Sequence, residues 1–370
     1  MPKLWQKTEE YINALLPQSV LFINRLPLVR TPSLVGVCTD HFGECERWSA
    51  AGFPAALTDP ASFPNAKNLD VCCVALRKGR DNQLADIAFG WNRLAAAGTL
   101  LICGYNDEGI RAIETVAKKQ GIASRQVVSK GGGRTLEWKR QPTHDALIAS
   151  WWEASQTPAI IQETVAGVSF SFASLPGTFA GGKLDDGTRA LLQALPVKLR
   201  EPILDFACGG GAVAAFVAAR GQKNITMSDV SAQAIRSARL TAQLAQIAPP
   251  LLSDRYQHIK GKFGTILLNP PFHQGVATEY DTARTMILDG GRHLKGTGRM
   301  ILVANLFLPY EALCREHNIG WRVLTEDSRF KVLELRYHQA EVEEPQEDGV
   351  ETVPEELWAE YYRQAKLLEP

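Results

Sequence analysis

The sequence predicts an α/β protein with two domains in tandem, each formed by a mostly parallel sheet covered by helices. Three observations support this prediction. Short apolar runs rich in β-branched residues alternate with segments of helical periodicity, which is the pattern of a parallel sheet with helices on both faces. This alternation occurs in both halves of the chain. The chain also has 370 residues, more than one domain usually contains.

In the first half, apolar segments bounded by turn residues predict strands over residues 33–40, 70–76 and 99–105. Residues 82–98 have helical spacing and are predicted to form a helix that ends at Gly98. Residues 125–140 are predicted to form a hairpin that turns on three successive glycines. A linking segment over 141–165 follows.

In the second half, the predicted strands span residues 201–210, 224–231, 263–272 and 299–305. The predicted helices between and after them span residues 211–221, 232–246, 278–295 and 310–318. Residues 321–337 read as two final strands joined by a turn. Because no helix separates this last pair, the second sheet is expected to contain one antiparallel strand.

The composition is that of a soluble globular protein, with 45% hydrophobic and 22% charged residues. No apolar run reaches the roughly 18 to 20 residues needed to span a bilayer, so no membrane association is expected. The N-terminal segment MPKLWQKTEEYINALL reads as an amphipathic helix without a signal-peptide cleavage site. The seven cysteines include no Cys-x-x-Cys pair, which predicts a reducing cytoplasm, no disulfide framework and no metal.

The net charge of zero conceals an uneven distribution along the chain. Residues 339–370 carry ten acidic and two basic residues, so the rest of the chain has 38 basic and 30 acidic residues. A body of net charge +8 can attract phosphate groups. A solvated surface beside an acidic tail explains the same charges, and charge alone does not separate these interpretations.

A glycine-rich turn follows the first strand of the second half and opens a helix. The turn comprises Asp205, Phe206, Ala207, Cys208, Gly209, Gly210 and Gly211. Glycines allow positive φ and a close approach of the backbone to a ligand. Asp229 ends the next strand, 20 residues after Gly209, where a carboxylate can accept from both ribose hydroxyls of an adenosine. The pattern favours a nucleotide-like cofactor over an ordinary strand-to-helix turn.

The position of Asp205 separates two kinds of cofactor. A dinucleotide prefers a Gly-x-Gly-x-x-Gly turn with a helix N-terminus at its pyrophosphate. Asp205 at the end of the strand would repel a diphosphate but suits the ammonium group of a methionine moiety, which favours S-adenosylmethionine. Asp254 falls where a third strand would end, and it is either an acceptor for the adenine amino group or an exposed loop acid.

A second motif, Asn269-Pro270-Pro271-Phe272, ends the strand expected beside the glycine turn. Prolines cannot donate ladder hydrogen bonds, so this is not the interior of a central strand. The side-chain carbonyl of Asn269 and the backbone carbonyl of Pro270 can both accept from one amino group. Carbonyl dipoles aimed at that nitrogen stabilise the positive charge that develops on it during methyl transfer. Phe272 can stack on the base that carries the amine.

Residues about 168–337 resemble the ribosomal RNA small subunit methyltransferase C family. The resemblance rests on the segments SLPGTFAGGKLDDGTRALL (174–192), ILDFACGGGAVA (203–214), SDVSAQAI (228–235), ILLNPPFHQG (266–275), RHLKGTGRMILVANLFLPY (292–310) and RFKVLELRY (329–337). It implies a class I methyltransferase fold, Rossmann-like, that methylates N2 of a guanine in ribosomal RNA. It also implies an N-terminal domain of similar fold that has lost its cofactor site and helps to bind RNA.

The first half agrees with such a loss. After the predicted strand 33–38, the segment from Thr39 to Gly43 has one glycine where a cofactor turn would need several. We therefore expect residues 1–160 to form a degenerate methyltransferase-like domain for RNA or ribosome recognition. Residues 161–338 are expected to form the catalytic domain, and residues 339–370 an acidic C-terminal tail.

The resemblance extends the expected cofactor site beyond the glycine turn. Ala207 stands where relatives usually have glycine, and Cys208 borders the pocket as a packing residue. The complete expected cofactor set is Phe179, Asp185, Gly187, Thr188, Asp205, Ala207, Cys208, Gly209, Gly211, Asp229, Val230, Asp254 and Asn269. The expected partner is ribosomal RNA, within the small subunit, in the cytoplasm.

Three other functions remain open from the sequence. Enzymes that methylate guanine N2 in the large ribosomal subunit share the Asn-Pro-Pro-Phe-His-Gln run. Adenine-N6 and protein glutamine methyltransferases use the same chemistry, more often with Tyr or Trp as the aromatic residue. A non-catalytic RNA-binding or assembly protein could keep the fold, but the retained Asp205, Asp229 and Asn269 argue against it.

Overall fold

The computed structural model describes residues 2–58, 66–178, 182–270 and 277–337. These residues form two seven-stranded sheets and one two-stranded sheet. Both large sheets have the same strand order and the same directions, so the predicted fold class is confirmed. The predicted tail, residues 339–370, lies outside the described residues.

The first sheet contains β1 (Val20–Ile23), β2 (Leu34–Thr39), β3 (Ala55–Leu57), β4 (Leu69–Ala75), β5 (Leu94–Tyr105), β6 (Ser124–Lys130) and β7 (Gly133–Lys139). The accompanying helices are α1 (Pro2–Ala14), α2 (Phe42–Ala50), α3 (Arg80–Trp91), α4 (Ile110–Lys119) and α5 (Asp145–Gln156). The strand order is β3-β2-β1-β4-β5-β7-β6, and β7 runs antiparallel to both neighbours. The hairpin predicted over residues 125–140 is β6 and β7.

Two predictions for the first half were wrong in detail. The helix predicted to reach Gly98 ends at Trp91, because Leu94 already pairs with Leu69 on β4. A Cβ at Gly98 would lie 2.8 Å from the carbonyl oxygen of Leu69, so glycine here permits close strand packing. Sheet pairing overrides the helical propensity of the alanines before Gly98. Strand β1, which lies between β2 and β4 in this sheet, was not predicted.

The correct position of β1 changes the interpretation of the degenerate turn. The segment starting at Thr39 follows the second strand of the sheet rather than the first. The turn that corresponds to a cofactor turn follows Ile23, and residues 24–28 (NRLPL) contain no glycine. The segment from Thr39 to His41 therefore corresponds to the end of the second strand of the other sheet, and not to the glycine turn.

The second sheet contains β10 (Ile203–Phe206), β11 (Ile225–Asp229), β12 (Leu251–Leu252), β13 (Phe263–Leu268), β14 (Leu294–Asn305), β15 (Ile319–Glu326) and β16 (Phe330–Tyr337). Its helices are α6 (Asp186–Ala194), α7 (Ala212–Ala219), α8 (Ala232–Ala245), α9 (Ala277–Gly290) and α10 (Tyr310–Glu316). The order is β12-β11-β10-β13-β14-β16-β15. Strand β16 runs antiparallel to both neighbours, which confirms the predicted antiparallel strand.

The segment predicted as a link is more ordered than expected. It forms α5 and then β8 (Ala159–Val165), which pairs with β9 (Val168–Ser174) as an antiparallel hairpin. Trp151 and Trp152 pack on the core of the first sheet, and the Trp152 ring lies 5.9 Å from that of Phe89. Trp152 also lines a narrow cleft together with Gln233 and Arg236 of α8, as expected for an interdomain residue.

The hairpin supports the glycine turn of the second domain through Thr241 on α8. The Thr241 hydroxyl accepts from the backbone N–H of Ala173 at 2.8 Å and donates to the carbonyl of Gly210 at 2.6 Å. Phe170 of β9 packs edge-on against Phe216 of α7, with ring centroids 5.5 Å apart. The turn is therefore held from outside by a hairpin that precedes the sheet in sequence.

In the residues that the structure describes, no helix combines the length and the apolar character required to cross a membrane.

We expect Thr241→Val to lower the free energy of unfolding by about 2 kcal/mol, because it leaves the Ala173 N–H and the Gly210 carbonyl buried without partners. Urea denaturation measures this change. Thr164→Val is the matched control, since its exposed hydroxyl bonds only to Ser169 within the same hairpin. Equal stabilities of the two variants would contradict the supporting role of Thr241.

Candidate active site

A cavity of about 420 Å³ opens at the carboxyl ends of β10, β11 and β13. Strand order reverses between β10 and β13, and parallel α/β sheets bind ligands at such switch points. The volume lies in the range of small-molecule sites. The cavity is thus the natural place for a ligand in this domain.

The turn after β10 requires glycine at several positions, because of close packing and positive φ values. A Cβ at Gly210 would lie 2.7 Å from the carbonyl oxygen of Ala173, and one at Gly211 would lie 3.0 Å from the sulfur of Met227. Gly209 and Gly211 have φ values of +52° and +81°. Ala207 has φ of +56°, a left-handed conformation that glycine adopts more readily, which accounts for the glycine expected there. Ala207 lines the cavity, and its side chain there is no larger than a methyl group.

Two acidic side chains line the cavity and hold its turns. Asp205 Oδ2 accepts from the N–H of Ala214 at 3.0 Å. Asp229 Oδ2 accepts from the N–H of Gly209 at 2.8 Å, and its Oδ1 accepts from the N–H of Ser231 at 2.9 Å. Asp229 therefore ties the glycine turn to the start of α8.

Burial perturbs both carboxyl groups. The pKa of Asp205 is raised to about 7, mainly by burial and also by the charge of Asp229, against the lowering effect of the hydrogen bond from Ala214. Burial is also the main cause that raises the pKa of Asp229, against its backbone hydrogen bonds. A cationic ligand in the cavity would stabilise the ionised carboxylates.

Asn269, at the end of β13, has an amide whose orientation is fixed. Its Nδ2 donates to Thr188 Oγ1 at 2.8 Å and to Asp185 Oδ2 at 3.0 Å. Asp185 is itself held as the N-cap of α6, where it accepts from the N–H of Thr188. Because both acceptors face Nδ2, the amide oxygen must point the other way.

The amide oxygen of Asn269 is buried and has no hydrogen-bond partner among the described residues. An unsatisfied buried acceptor costs about 1 to 3 kcal/mol, and such atoms in native proteins usually await a ligand or water. Asn269 also lines the cavity. The site therefore contains one fixed carbonyl oxygen that is buried and without a partner among the described residues.

Most of the other predicted site residues that the structure describes lie at or around the cavity, but Gly211 does not line it and packs against Met227 and Thr241. Ala207, Cys208, Gly209 and Val230 line it together with Asp185, Thr188, Asp205, Asp229 and Asn269. Gly187 packs beside Asn269, where a Cβ would lie 3.6 Å from Oδ1. Burial raises the pKa of Cys208 well above its ordinary value, so the thiol stays protonated and packs. Pro270 follows Asn269, while Phe179, Pro271 and Phe272 lie outside the described residues.

Asp254 differs from its expected role. Its carboxylate pairs with Arg47 of the first domain at 3.1 Å, and the residue does not line the cavity. Its neighbours Ser253 and Arg255 do line it. Asp254 therefore forms an ion pair between the domains, and its contact with adenine stays a prediction.

Sequence reasoning missed several lining residues, above all His41, which belongs to the first domain. Phe172 and Ser174 of β9 and Lys183 also line the cavity. The segment Thr39-Asp40-His41 of the first domain stands at the end of β2. The segment Ser228-Asp229-Val230 stands at the corresponding place at the end of β11. This parallel was the available signal for His41, and recognising it required the correct position of β1.

The chain is similar in sequence to a known family and to known proteins. The Methyltransferase small domain family matches residues 169–334. The chain is 34% identical over 255 residues to ribosomal RNA small subunit methyltransferase C of Actinobacillus succinogenes, covering 67% of this chain and 74% of the relative. It is 30% identical over 274 residues to the protein of the same name from Psychromonas ingrahamii, covering 74% and 77%.

A solved structure supports the fold of both halves. The structure of a T. thermophilus 16S rRNA N2 methyltransferase in complex with AdoMet and guanosine matches with a TM-score of 0.72 and 22% identity. The match covers 86% of this chain and 88% of the other. The sequence relatives, the two-domain fold and the cavity lead to one conclusion. The chain belongs to the ribosomal RNA small subunit methyltransferase C family and is an S-adenosylmethionine-dependent methyltransferase.

Proposed function

We propose that the protein transfers a methyl group from S-adenosylmethionine to the exocyclic N2 of a guanine in 16S ribosomal RNA of the small subunit. The observation that carries this proposal is the buried, unpaired amide oxygen of Asn269. It is the acceptor that an amino group requires, and Asp185 and Thr188 hold it in place. The names of the sequence relatives are the basis for proposing ribosomal RNA of the small subunit as the substrate.

Asn269 acts on the amino nitrogen. Its Oδ1 accepts one N–H of the exocyclic amine, and the backbone carbonyl of Pro270 is proposed to accept the other. S-adenosylmethionine supplies a methyl group that is already activated on a sulfonium. As the N–C bond forms, the fixed carbonyl dipole of Asn269 stabilises the positive charge on nitrogen without reorganisation. The amine proton leaves to solvent after transfer.

The proposed cofactor contacts follow from the lining of the cavity. Asp229 has lone pairs left for the ribose hydroxyls after accepting from Gly209 and Ser231. Asp205 offers a buried carboxylate to the ammonium group of the methionine moiety. The backbone of Ala207 and Gly209 is proposed to approach the cofactor closely, because these two residues line the cavity with no side chain beyond a methyl group.

The remaining predicted site residues have proposed roles. Pro271 and Phe272 complete the catalytic motif, with Phe272 stacked on the target base. Gly187 leaves room beside Asn269, and Phe179 is proposed to border the cofactor. The first domain, residues 1–160, is proposed to recognise ribosomal RNA in the cytoplasm, and residues 161–338 to carry catalysis.

The decisive experiment measures methyl transfer from labelled S-adenosylmethionine to small subunits, large subunits and naked ribosomal RNA from cells that lack this protein. Nucleoside mass spectrometry of the digested RNA identifies the product. N2-methylguanosine in small-subunit RNA is the expected result. Label in the large subunit would change the target, and absence of label in all RNA would redirect the search to adenine or protein amide substrates.

We expect Asn269→Ala to lower the turnover rate about a hundredfold or more, by loss of one preorganised acceptor, and to leave cofactor affinity nearly unchanged. Single-turnover methyl transfer and calorimetry measure the two quantities. Asn224→Ala, at an exposed position before β11, is the control. Near-native turnover of the Asn269 variant would remove the proposed amine-binding role.

We expect Asp229→Ala to weaken cofactor binding by about 1.5 to 3 kcal/mol, the range for hydrogen bonds to a charged group. Calorimetry with S-adenosylhomocysteine measures the change in affinity. A melting curve without ligand measures the stability that the variant loses with the contacts to Gly209 and Ser231. Asp107→Ala, an exposed substitution in the first domain, serves as control. Unchanged affinity would mean that the ribose lies elsewhere.

We expect S-adenosylhomocysteine to bind more tightly as pH rises from 5.5 to 8, with the increase levelling off above about 7. Asp205 is protonated below its raised pKa of about 7, and only the ionised carboxylate attracts the ammonium group. The steepest possible dependence for one group is tenfold per pH unit. Asp205→Asn should flatten most of this dependence in calorimetric titrations, and an unaltered pH profile would contradict the contact.

A further inference from the structure

The first domain contacts the second domain directly beside the cavity. His41 and Ser231 form an isolated antiparallel β-bridge. The N–H of Phe42 donates to the carbonyl of Val230 at 2.9 Å, and the N–H of Ala232 donates to the carbonyl of Asp40 at 3.0 Å. These contacts attach the first domain to the residues that immediately follow Asp229.

The Asp40 side chain strengthens this attachment. Its Oδ1 accepts from the N–H of Gln233 at 3.0 Å, and its Oδ2 accepts from the hydroxyl of Ser231 at 2.5 Å. It thereby provides a carboxylate to the first turn of α8 from outside the helix, a favourable position for a negative charge. Arg77 holds the same carboxylate at 3.2 Å from its own domain.

Asp40 corresponds to Asp229 in the repeated topology. Each acid comes at the end of the second strand of its sheet, β2 or β11. Asp229 faces the cavity, whereas Asp40 binds the other domain. The acid that would serve a cofactor in the first domain is thus used to hold the cofactor loop of the second.

Helix α2 of the first domain also fixes the turn after β12. Gly43 packs against Asp254 so closely that a Cβ would lie 1.9 Å from Oδ2. Arg47, one turn later, pairs with the same carboxylate at 3.1 Å. Two turns of the catalytic sheet that border the cavity therefore rest on one segment of the first domain.

His41 extends from this segment into the lining of the cavity. Its Nδ1 accepts from the N–H of Glu44 at 3.2 Å, which caps α2. In the neutral ring, a nitrogen that accepts a hydrogen bond carries no proton, so the proton resides on Nε2. His41 therefore offers a donor N–H beside Val230 and Asp229.

We propose that His41 binds the adenosine moiety of S-adenosylmethionine through Nε2–H, so that the domain without a glycine turn completes the cofactor site of the other. This inference rests on the proposed function. It places the contact at the adenosine end because His41 adjoins the β11 turn, where Asp229 is proposed to hold the ribose. The methionine end, at Asp205, lies at the β10 turn.

Two variants separate this binding role from helix capping. His41→Ala removes both the cap and the donor. His41→Ser keeps a side chain that caps helices well but cannot supply the imidazole N–H. Binding of S-adenosylhomocysteine and of methylthioadenosine is measured for each full-length variant by calorimetry, with melting curves alongside. His317→Ala, an exposed histidine on the second domain, is the control.

Both His41 variants should bind both ligands about three- to tenfold more weakly than wild type, the range for one neutral hydrogen bond. Only the alanine variant should lose stability. In methyl transfer, KM for the cofactor should rise while kcat at saturation stays close to wild type.

Wild-type affinity of His41→Ser would show that His41 only caps α2 and would overturn the inference. An affinity loss seen with S-adenosylhomocysteine but not with methylthioadenosine would overturn the adenosine assignment. If the wild-type protein binds neither ligand, the proposed cofactor site itself fails, and the inference fails with it.

Discussion

The orientation of one side-chain amide is the constraint on which the active site depends. The Asn269 amide is fixed because Asp185 and Thr188 accept hydrogen bonds from its nitrogen, and its buried oxygen has no partner among the described residues. The capped start of α6 thus determines the orientation of the amide at the end of β13. The glycine turn and Asp229 line another part of the cavity, and under the proposed function the fixed amide is what binds the amine.

The duplicated topology gives the two domains different tasks. Both sheets have one strand order, yet only the second has glycines after its first strand. The first domain uses its own second-strand region to contact the corresponding region of the catalytic sheet. Because Asp40, His41, Gly43 and Arg47 all lie on this contact, the first domain is part of the architecture around the cofactor as well as a candidate for RNA recognition.

The sequence was sufficient for the features that depend on local patterns. The alternation of strands and helices, the glycine turn and the spacing to Asp229 each reflect a few neighbouring residues. Features that depend on pairing with distant residues were missed. Strand β1 is only four residues long and was not predicted. The alanines after Trp91 join a strand because Leu69 pairs with Leu94. Asp254 was placed by strand position alone, which cannot show that Arg47 of another domain pairs with it.

The hairpin of β8 and β9 has a consequence for how the catalytic half is defined. The family match begins at residue 169, within β9, whereas its partner strand begins at Ala159. A shortened protein starting at the match would keep Ala173 but lose the strand that pairs with it. The glycine turn would then lose its outside support, although every residue of the turn would be present. A unit that keeps this support of the glycine turn is therefore longer than residues 169–334, which the Methyltransferase small domain family matches.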